Sequence, residues 1–261
     1  MRRHEGKIVF ISGGSKGIGL ACAQRLAEEG ASLFLVASNV DRLNDAAQDL
    51  IGKTQCKLGT HGADLRTIEG CQSAANAVLE KFGACDVFIH SAGATRGGLF
   101  PEQPDEDMID GFALKFHAAV RLSRLLWPAL KESRGCVLNI VGGFARTPAA
   151  DFMVGGAVNA ALANFSKALA DKGLADDVNV NWIHPGLTVT ERLDGIFSDR
   201  ANQQGKTRDE IERDSIKAEG IRRLGAPEDV AALVAFLCSA EARHVHGTCV
   251  AIDGGGAKGY Y

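Results

Sequence analysis

A strand, a glycine-rich turn and a helix follow one another directly near the start of the chain. The apolar run Lys7-Ile-Val-Phe-Ile11 is typical of a buried strand, and residues 12–19 read Ser-Gly-Gly-Ser-Lys-Gly-Ile-Gly. An alanine- and leucine-rich helical pattern comes next. A strand that becomes a helix within so few residues needs glycine, because only glycine lacks the Cβ that blocks left-handed backbone and close approach. This order predicts the first unit of an α/β sheet protein.

Three glycines in the turn have the spacing of a phosphate-binding loop, G-x-x-x-G-x-G. Gly13 is expected to turn the chain out of the strand, Gly17 to let the backbone approach a pyrophosphate, and Gly19 to let the helix pack on the sheet. The free N–H groups at the start of the helix would then face the phosphates. We expect a dinucleotide to bind through Gly13, Ser15, Lys16, Gly17, Ile18 and Gly19.

Short apolar strands alternate with helical patterns along the rest of the chain. Strands are predicted at 7–12, 32–37, 55–60, 86–90, 136–141, 178–183 and 248–252, and helices at 17–29, 41–51, 67–82, 105–132, 153–173 and 227–239. This alternation requires crossover connections and a parallel sheet. The strands are apolar on both sides, as a sheet covered on both faces demands. The predicted fold is a Rossmann-type, doubly wound α/β sheet of about seven strands, in a single domain spanning 1–261.

Charge and hydropathy argue against several classes of partner. The 261 residues carry a formal net charge of −3 with mixed signs, so no nucleic-acid partner is expected. The longest apolar stretches have the length of strands, so no membrane partner is expected either. The start of the chain, Met1-Arg-Arg-His-Glu5, has no apolar core to make a signal peptide.

The cysteines and histidines give no sign of a metal or a disulfide framework. Seven cysteines without a C-x-x-C pair are expected to be free thiols in a reducing cytoplasm. His244 and His246 form the one close histidine pair of the sequence, and no metal site is expected there.

Six motifs in the right order give the chain a family resemblance. The match runs from about Gly6 to Gly255, and the chain resembles the short-chain dehydrogenase/reductases. The matching segments are Ser12–Gly19 (family T-G-x-x-x-G-I-G), Ala63-Asp64-Leu65, His90-Ser91-Ala92-Gly93 (N-N-A-G), His184-Pro185-Gly186 with Thr190 (N-P-G-x-x-x-T), Arg223–Asp229 and Asp253-Gly254-Gly255.

The resemblance implies a nicotinamide dinucleotide cofactor and further residues that contact it. Family members place the acidic residue that corresponds to Asp64 near the adenine ring. They use the N-P-G-x-x-x-T motif to shape the nicotinamide side of the cofactor site. Carried to this sequence, the additional cofactor contacts are Asp64, Leu65, Ser91, Ala92, Gly93, Pro185, Gly186, Thr188 and Thr190.

The residues after the second strand bear on the choice between NADP and NAD. NAD-preferring enzymes usually place an acidic residue there to hold the ribose 2′-hydroxyl, whereas this chain has Ser38 and Asn39. Lys16 matches a basic residue that NADP-using relatives place against the 2′-phosphate. Ser38 and Asn39 can also donate hydrogen bonds to that phosphate. We therefore expect NADP, with NAD as the alternative.

The family's Asn-Ser-Tyr-Lys catalytic set is missing. By alignment Gly142 stands at the Ser position, Gly155 at the Tyr position and Asn159 at the Lys position. The only tyrosines, Tyr260 and Tyr261, lie at the end of the chain. The two glycines are expected to open space beside the nicotinamide, for a bulkier substrate or for one that carries its own acid.

Lys115 stands where the family has its catalytic Asn, so Asn and Lys have exchanged positions. Because these two positions lie close together in the family, the Lys115 ammonium could reach the volume that a lysine at 159 would fill. Lys115 is therefore the candidate catalytic residue. The alternative is independent drift, with Lys115 extending to solvent.

Three functions fit these observations. The first is a nicotinamide-dependent oxidoreductase with a non-standard proton path, acting on a carbonyl, an alcohol or an activated alkene. The second is a catalytically silent dinucleotide-binding protein, or a silent partner of an active homologue. The third is a non-redox reaction in which the cofactor is only structural.

Two further expectations follow from the resemblance. The charged, helix-prone segment at about 190–220 corresponds to the family's substrate lid. Helices 105–132 and 153–173 resemble the paired-helix interfaces of the family, so a homotetramer or homodimer is expected.

Overall fold

The computed structural model describes residues 2–258, in which seven parallel strands form one sheet in the order β3-β2-β1-β4-β5-β6-β7. The strands are β1 Ile8–Ser12, β2 Ser32–Ala37, β3 Leu58–Gly62, β4 Val87–His90, β5 Cys136–Ile140, β6 Asn179–Pro185 and β7 Cys249–Ile252. The predicted doubly wound sheet is confirmed.

Helices cover both faces of the sheet. They are α1 Gly17–Glu28, α2 Val40–Thr54, α3 Ile68–Phe82, α4 Asp105–Gly111, α5 Ala118–Glu132, α6 Met153–Asp176, α7 Glu191–Gln204, α8 Arg208–Glu219 and α9 Pro227–Leu237, with a π-helical turn at Phe112–His117 between α4 and α5. One apolar core joins the sheet to α1, α2 and α9, and a second joins it to α3, α5 and α6.

The sheet has its topological switch between β1 and β4. From β1 the chain crosses outward to β2 and β3, then returns to β4 and continues to the other edge. The loops that leave β1 and β4 therefore diverge and open a crevice at the carboxyl ends of these strands, which is where ligands of open α/β sheets bind. Ser12 and His90, the last residues of β1 and β4, stand directly opposite each other in register.

Several boundaries differ from the sequence prediction. Strand β3 begins at Leu58 rather than 55, because α2 runs on to Thr54 and Gln55, with φ 56°, caps it in left-handed backbone. The predicted helix 105–132 is interrupted by the π-helical turn. Helix α6 continues to Asp176, three residues beyond the predicted end.

The 190–220 segment forms two helices, α7 and α8, with a small apolar cluster of their own. Phe197 is fully buried in it, and Leu193 and Ile211 are buried beside it. Thr207 and Glu210 form a capping box at the start of α8. These apolar residues pack α7 and α8 against each other.

Within residues 2–258, no helix combines the length and the apolar character needed to span a bilayer.

Candidate active site

The backbone of the turn between β1 and α1 requires glycine at two positions. Gly13 has φ 72°, and a Cβ there would lie 2.9 Å from the Ala92 backbone. A Cβ on Gly19 would lie 2.2 Å from the Gly13 carbonyl oxygen. The first turn of α1 has no acidic residue, and no side chain among the described residues caps it. Its N–H groups thus remain available to an anion, which fits the phosphates of a dinucleotide.

A chain of hydrogen bonds around the buried Ser12 and His90 side chains joins the glycine turn to the β4 loop and the π-helical turn. The Ser12 hydroxyl accepts hydrogen bonds from the backbone N–H groups of Ser91 and Ala92, both at 3.2 Å. It also lies 2.9 Å from Nδ1 of His90, whose Nε2 lies 3.0 Å from the Lys115 carbonyl oxygen. A carbonyl only accepts, so Nε2 carries the proton and the serine hydroxyl donates to Nδ1.

Burial keeps His90 neutral in this chain. The ring is fully buried, and desolvation lowers the pKa of His90 to about 3. A neutral ring has one donor and one acceptor nitrogen, and both are used here. His90 was predicted only as part of the loop motif. Its position opposite Ser12 could have been found by aligning the ends of β1 and β4.

The Lys115 side chain turns inward rather than to solvent. Its stem lies against Gly93, and its Nζ donates to the Val141 carbonyl oxygen at 2.5 Å. Val141 immediately precedes Gly142. The interpretation that Lys115 extends to solvent is therefore wrong: the ammonium lies beside the position where the family keeps its serine.

Burial also sets the protonation of Lys115. Desolvation, and to a smaller extent the charge of Arg192, lowers the pKa of Lys115 to about 7. Arg192 comes from α7, and its guanidinium donates to the carbonyl oxygens of Thr95 at 2.7 Å and Gly93 at 3.4 Å. The Lys115 amine can therefore gain or lose its proton at neutral pH.

The π-helical turn carries Lys115 itself. Single π-turns inside α-helices change which carbonyls are bonded within the helix and are frequent at functional sites. Here the carbonyl of Lys115 accepts from His90 while its side chain reaches Val141. The turn was missed in the sequence, because π-helical backbone has no distinct residue pattern.

The expected open space at Gly142 and Gly155 is absent. A Cβ on Gly155 would lie 1.9–2.5 Å from ring carbons of Phe152, so an aromatic ring fills the volume in front of the Tyr position. Gly142 has φ 130°, and a Cβ there would lie 3.0 Å from Nδ2 of Asn159. The sequence shows which side chains are missing at these positions, but not which neighbouring side chains occupy their places.

His184 holds the backbone at Gly142. Its Nδ1 donates to the Gly142 carbonyl oxygen at 2.5 Å, and burial lowers the pKa of His184, so the ring is neutral. Its Nε2 and the Oδ1 of the buried Asn159 have no hydrogen-bond partner among residues 2–258. Both atoms are acceptors that a bound donor would satisfy.

The remaining predicted cofactor residues lie around the crevice. Asn39 caps α2, its Oδ1 accepting from the backbone N–H of Arg42 at 2.8 Å, and Ser38 beside it is exposed. Asp64 accepts from the backbone N–H of Arg66 at 3.0 Å. Thr190 lies against Gly17, with its Cγ2 at 3.4 Å from the position of a Cβ there. The others are Ser15, Lys16, Ile18, Leu65, Pro185, Gly186 and Thr188, of which Ser15, Leu65 and Thr188 are buried.

Tyr260 and Tyr261 lie outside the described residues.

The chain is similar to known proteins over nearly its whole length. A family model described as Enoyl-(Acyl carrier protein) reductase matches residues 13–257. The chain is 30% identical over 256 residues to the 3-oxoacyl-(acyl-carrier-protein) reductase of Escherichia coli, covering 96% of this chain and 97% of the relative. It is 26% identical over 254 residues to an NADPH-dependent reductase of Bacillus subtilis, covering 97% and 98%.

Solved structures share the whole fold. The L-sorbose reductase of Gluconobacter frateurii, crystallised with NADPH and L-sorbose, superposes with a TM-score of 0.95 at 32% identity, covering 99% of this chain and 100% of that one. A short-chain dehydrogenase of Burkholderia cenocepacia in complex with NADP gives a TM-score of 0.87 at 28% identity, covering 97% and 99%.

The lowered pKa of Lys115 makes stability depend on pH. The folded pKa of about 7 lies below the ordinary lysine value of 10.5, so between these values the unfolded chain binds more protons than the folded one. The free energy of unfolding should therefore rise from pH 7 to pH 10 more steeply in the wild type than in Lys115→Met. Urea unfolding at both pH values measures this. Equal slopes in the two proteins would contradict the assignment, and Lys53→Met, which alters a lysine paired with Asp49 on the surface, is the control.

Proposed function

The chain belongs to the short-chain dehydrogenase/reductase family, and from that membership we propose that it is an NADPH-dependent reductase in which Lys115 supplies the proton. When bound, the cofactor supplies the hydride. The glycine turn from Gly13 to Gly19 and the open N–H groups of α1 hold its phosphates. Thr188 and Thr190 border the nicotinamide side.

The preference for NADP is supported by the residues after β2. Ser38 and Asn39 are exposed and carry no negative charge to oppose a 2′-phosphate. The Asn39 side-chain oxygen is used as a helix cap, which leaves its amide NH₂ free to donate. Lys16 stands at the adjacent start of α1. The NADPH and NADP named for the relatives agree with this choice.

The position of the Lys115 ammonium is the observation that supports the proposed proton path. One of its three N–H donors is used by the Val141 carbonyl, and the others are available to a substrate oxygen or to water. An acid whose pKa lies near the working pH is the most effective proton donor. Val141 and the stem contact with Gly93 fix where the amine lies, so Lys115 is oriented before substrate binds.

The proposed substrate carries a carbonyl group or an activated alkene. Phe144 and Phe152, with ring centroids 4.9 Å apart, provide an apolar wall beside Gly155. Helices α7 and α8 form the proposed lid, which is held to the opposite wall by the bonds of Arg192 to the β4 loop. Closing such a lid excludes water from the reacting groups.

A silent nucleotide-binding subunit is the second candidate. It is favoured by the ring of Phe152, which occupies the place of the usual proton donor. The two functions differ in one measurable property, hydride transfer from NADPH to a panel of carbonyls and enones.

Replacing Lys115 tests the proton path. Lys115→Met should lower kcat for the best substrate of that panel by about 10²–10⁴-fold, the usual contribution of a positioned general acid. The dissociation constant for NADPH should not change. In the wild type, kcat for reduction should fall as the pH rises through about 7, because the donor loses its proton.

Lys53→Met serves as the matched control, since it removes an exposed lysine far from the crevice. A Lys115→Met variant with unchanged kcat and an unchanged pH profile would remove Lys115 from the mechanism. A wild type that binds NADPH and reduces nothing in the panel would favour the silent subunit.

The ring of Phe152 determines whether the family's Asn, Tyr and Lys can be restored at their positions. A variant combining Lys115→Asn, Phe152→Ala, Gly155→Tyr and Asn159→Lys should reduce simple ketones at least tenfold faster than the same variant with Phe152 retained, because only the first has room for the tyrosine. Steady-state NADPH oxidation compares them. Equal rates would show that Phe152 moves aside freely.

We also propose that the protein is a homo-oligomer, a tetramer in preference to a dimer. Large apolar side chains are exposed on the helices that the family pairs: Ile109 on α4 is 62% exposed and Leu174 on α6 is 70% exposed. Association would bury them. Light scattering at micromolar concentration should give two or four times the chain mass, and a monomer mass would contradict the proposal.

A further inference from the structure

One carboxylate bridges two cations at the nucleotide end of the crevice. Oε2 of Glu191 lies 3.1 Å from Nζ of Lys16 and 3.1 Å from Nη1 of Arg42. Among residues 2–258, neither cation pairs with any other carboxylate. All three side chains are about half exposed, so the bridge lies at the surface and exchanges readily with other ions.

The two cations come from separate elements that flank the same point. Lys16 is the residue before α1, and Arg42 lies in the first turn of α2, where its backbone N–H is held by Asn39. Both lie after the carboxyl ends of neighbouring strands β1 and β2. A Lys and an Arg converging there form a site for a doubly charged anion.

Glu191 reaches this site from the other side of the crevice. It is the first residue of α7 and follows Thr190, which lies against Gly17. Its neighbour Arg192 is bonded to the carbonyls of Gly93 and Thr95, so the start of α7 is held in place independently of Glu191. Lys16 and Arg42 lower the pKa of Glu191, so the carboxylate is charged at neutral pH.

We propose that Glu191 sets the nucleotide selectivity of the protein by competing with the 2′-phosphate of NADPH for Lys16 and Arg42. This rests on the proposed binding of NADPH. The 2′-phosphate, with nearly two negative charges, displaces the single charge of Glu191 from both cations. The neutral 2′-hydroxyl of NADH gains little from displacing it. Glu191 thus weakens the binding of NADPH and leaves the binding of NADH nearly unchanged. The preference of the protein for NADPH over NADH is therefore smaller than it would be without Glu191.

The competition predicts an unusual result: removing an ion pair should tighten binding. In Glu191→Gln the dissociation constant for NADPH should fall about fivefold, the factor expected when two exposed ion pairs no longer have to be broken. The constant for NADH should change less than twofold. Nucleotide fluorescence titration at low salt measures both, without any substrate or turnover.

A second substitution separates competition from a general change in charge. Lys16→Gln should weaken NADPH binding more in the Glu191→Gln background than in the wild type, because the lysine is then fully available to the phosphate. The control is Glu5→Gln, which removes one negative charge from an equally exposed carboxylate that pairs with Arg2 before β1. It should leave both dissociation constants unchanged.

The outcomes distinguish this inference from the proposed function. An unchanged ratio of the NADPH and NADH constants in Glu191→Gln, or weaker NADPH binding, would overturn the role of Glu191 while NADPH binding by the wild type still stood. A wild type that binds neither nucleotide would overturn both. Equal shifts in Glu191→Gln and Glu5→Gln would show that the effect comes from net charge alone and would also overturn the role of Glu191.

Discussion

The hydrogen bonds between Ser12, His90 and Lys115 hold the crevice in one shape. They join the end of β1 to the end of β4 and then to the π-helical turn, so the nucleotide loop and the proposed proton donor share one support. The Ser12 and His90 side chains are fully buried, and a buried polar group without its partner is costly. The position of the Lys115 side chain therefore depends on the same bonds that position the β4 loop beside the glycine turn.

Much of the fold could be predicted from the sequence because it depends on local and periodic signals. Apolar runs and the glycine spacing at Gly13, Gly17 and Gly19 located the strands, the turn and the parallel order. The predicted start of β3 was wrong by three residues, because the left-handed residue Gln55 that ends α2 has no periodic signal in the sequence. The π-helical turn was also missed, because its backbone is set by hydrogen bonds to other elements, and such bonds have no periodic signal in the sequence.

For the candidate active site, the sequence predicted only which positions correspond to the catalytic residues of the family. Alignment identified which family residues are replaced at Gly142 and Gly155, but not what fills the vacated volumes. Phe152 fills one of them from three residues away on the same chain, and Asn159 lies against the other. The direction of the Lys115 side chain likewise depends on the Val141 carbonyl, which belongs to another element. The contact of Lys115 with Val141 joins residues that are distant in sequence, so it leaves no pattern there.

Charge in the crevice is arranged in two separate regions. At the catalytic end burial keeps His90 and His184 neutral and lowers the pKa of Lys115 to about 7. At the nucleotide end the charges of Lys16 and Glu191 are exposed and exchange with solvent ions. Salt weakens exposed ion pairs and screens buried groups much less. Salt should therefore alter nucleotide selectivity while leaving the pH dependence of the proton donor in place, because the two regions respond to different physical variables.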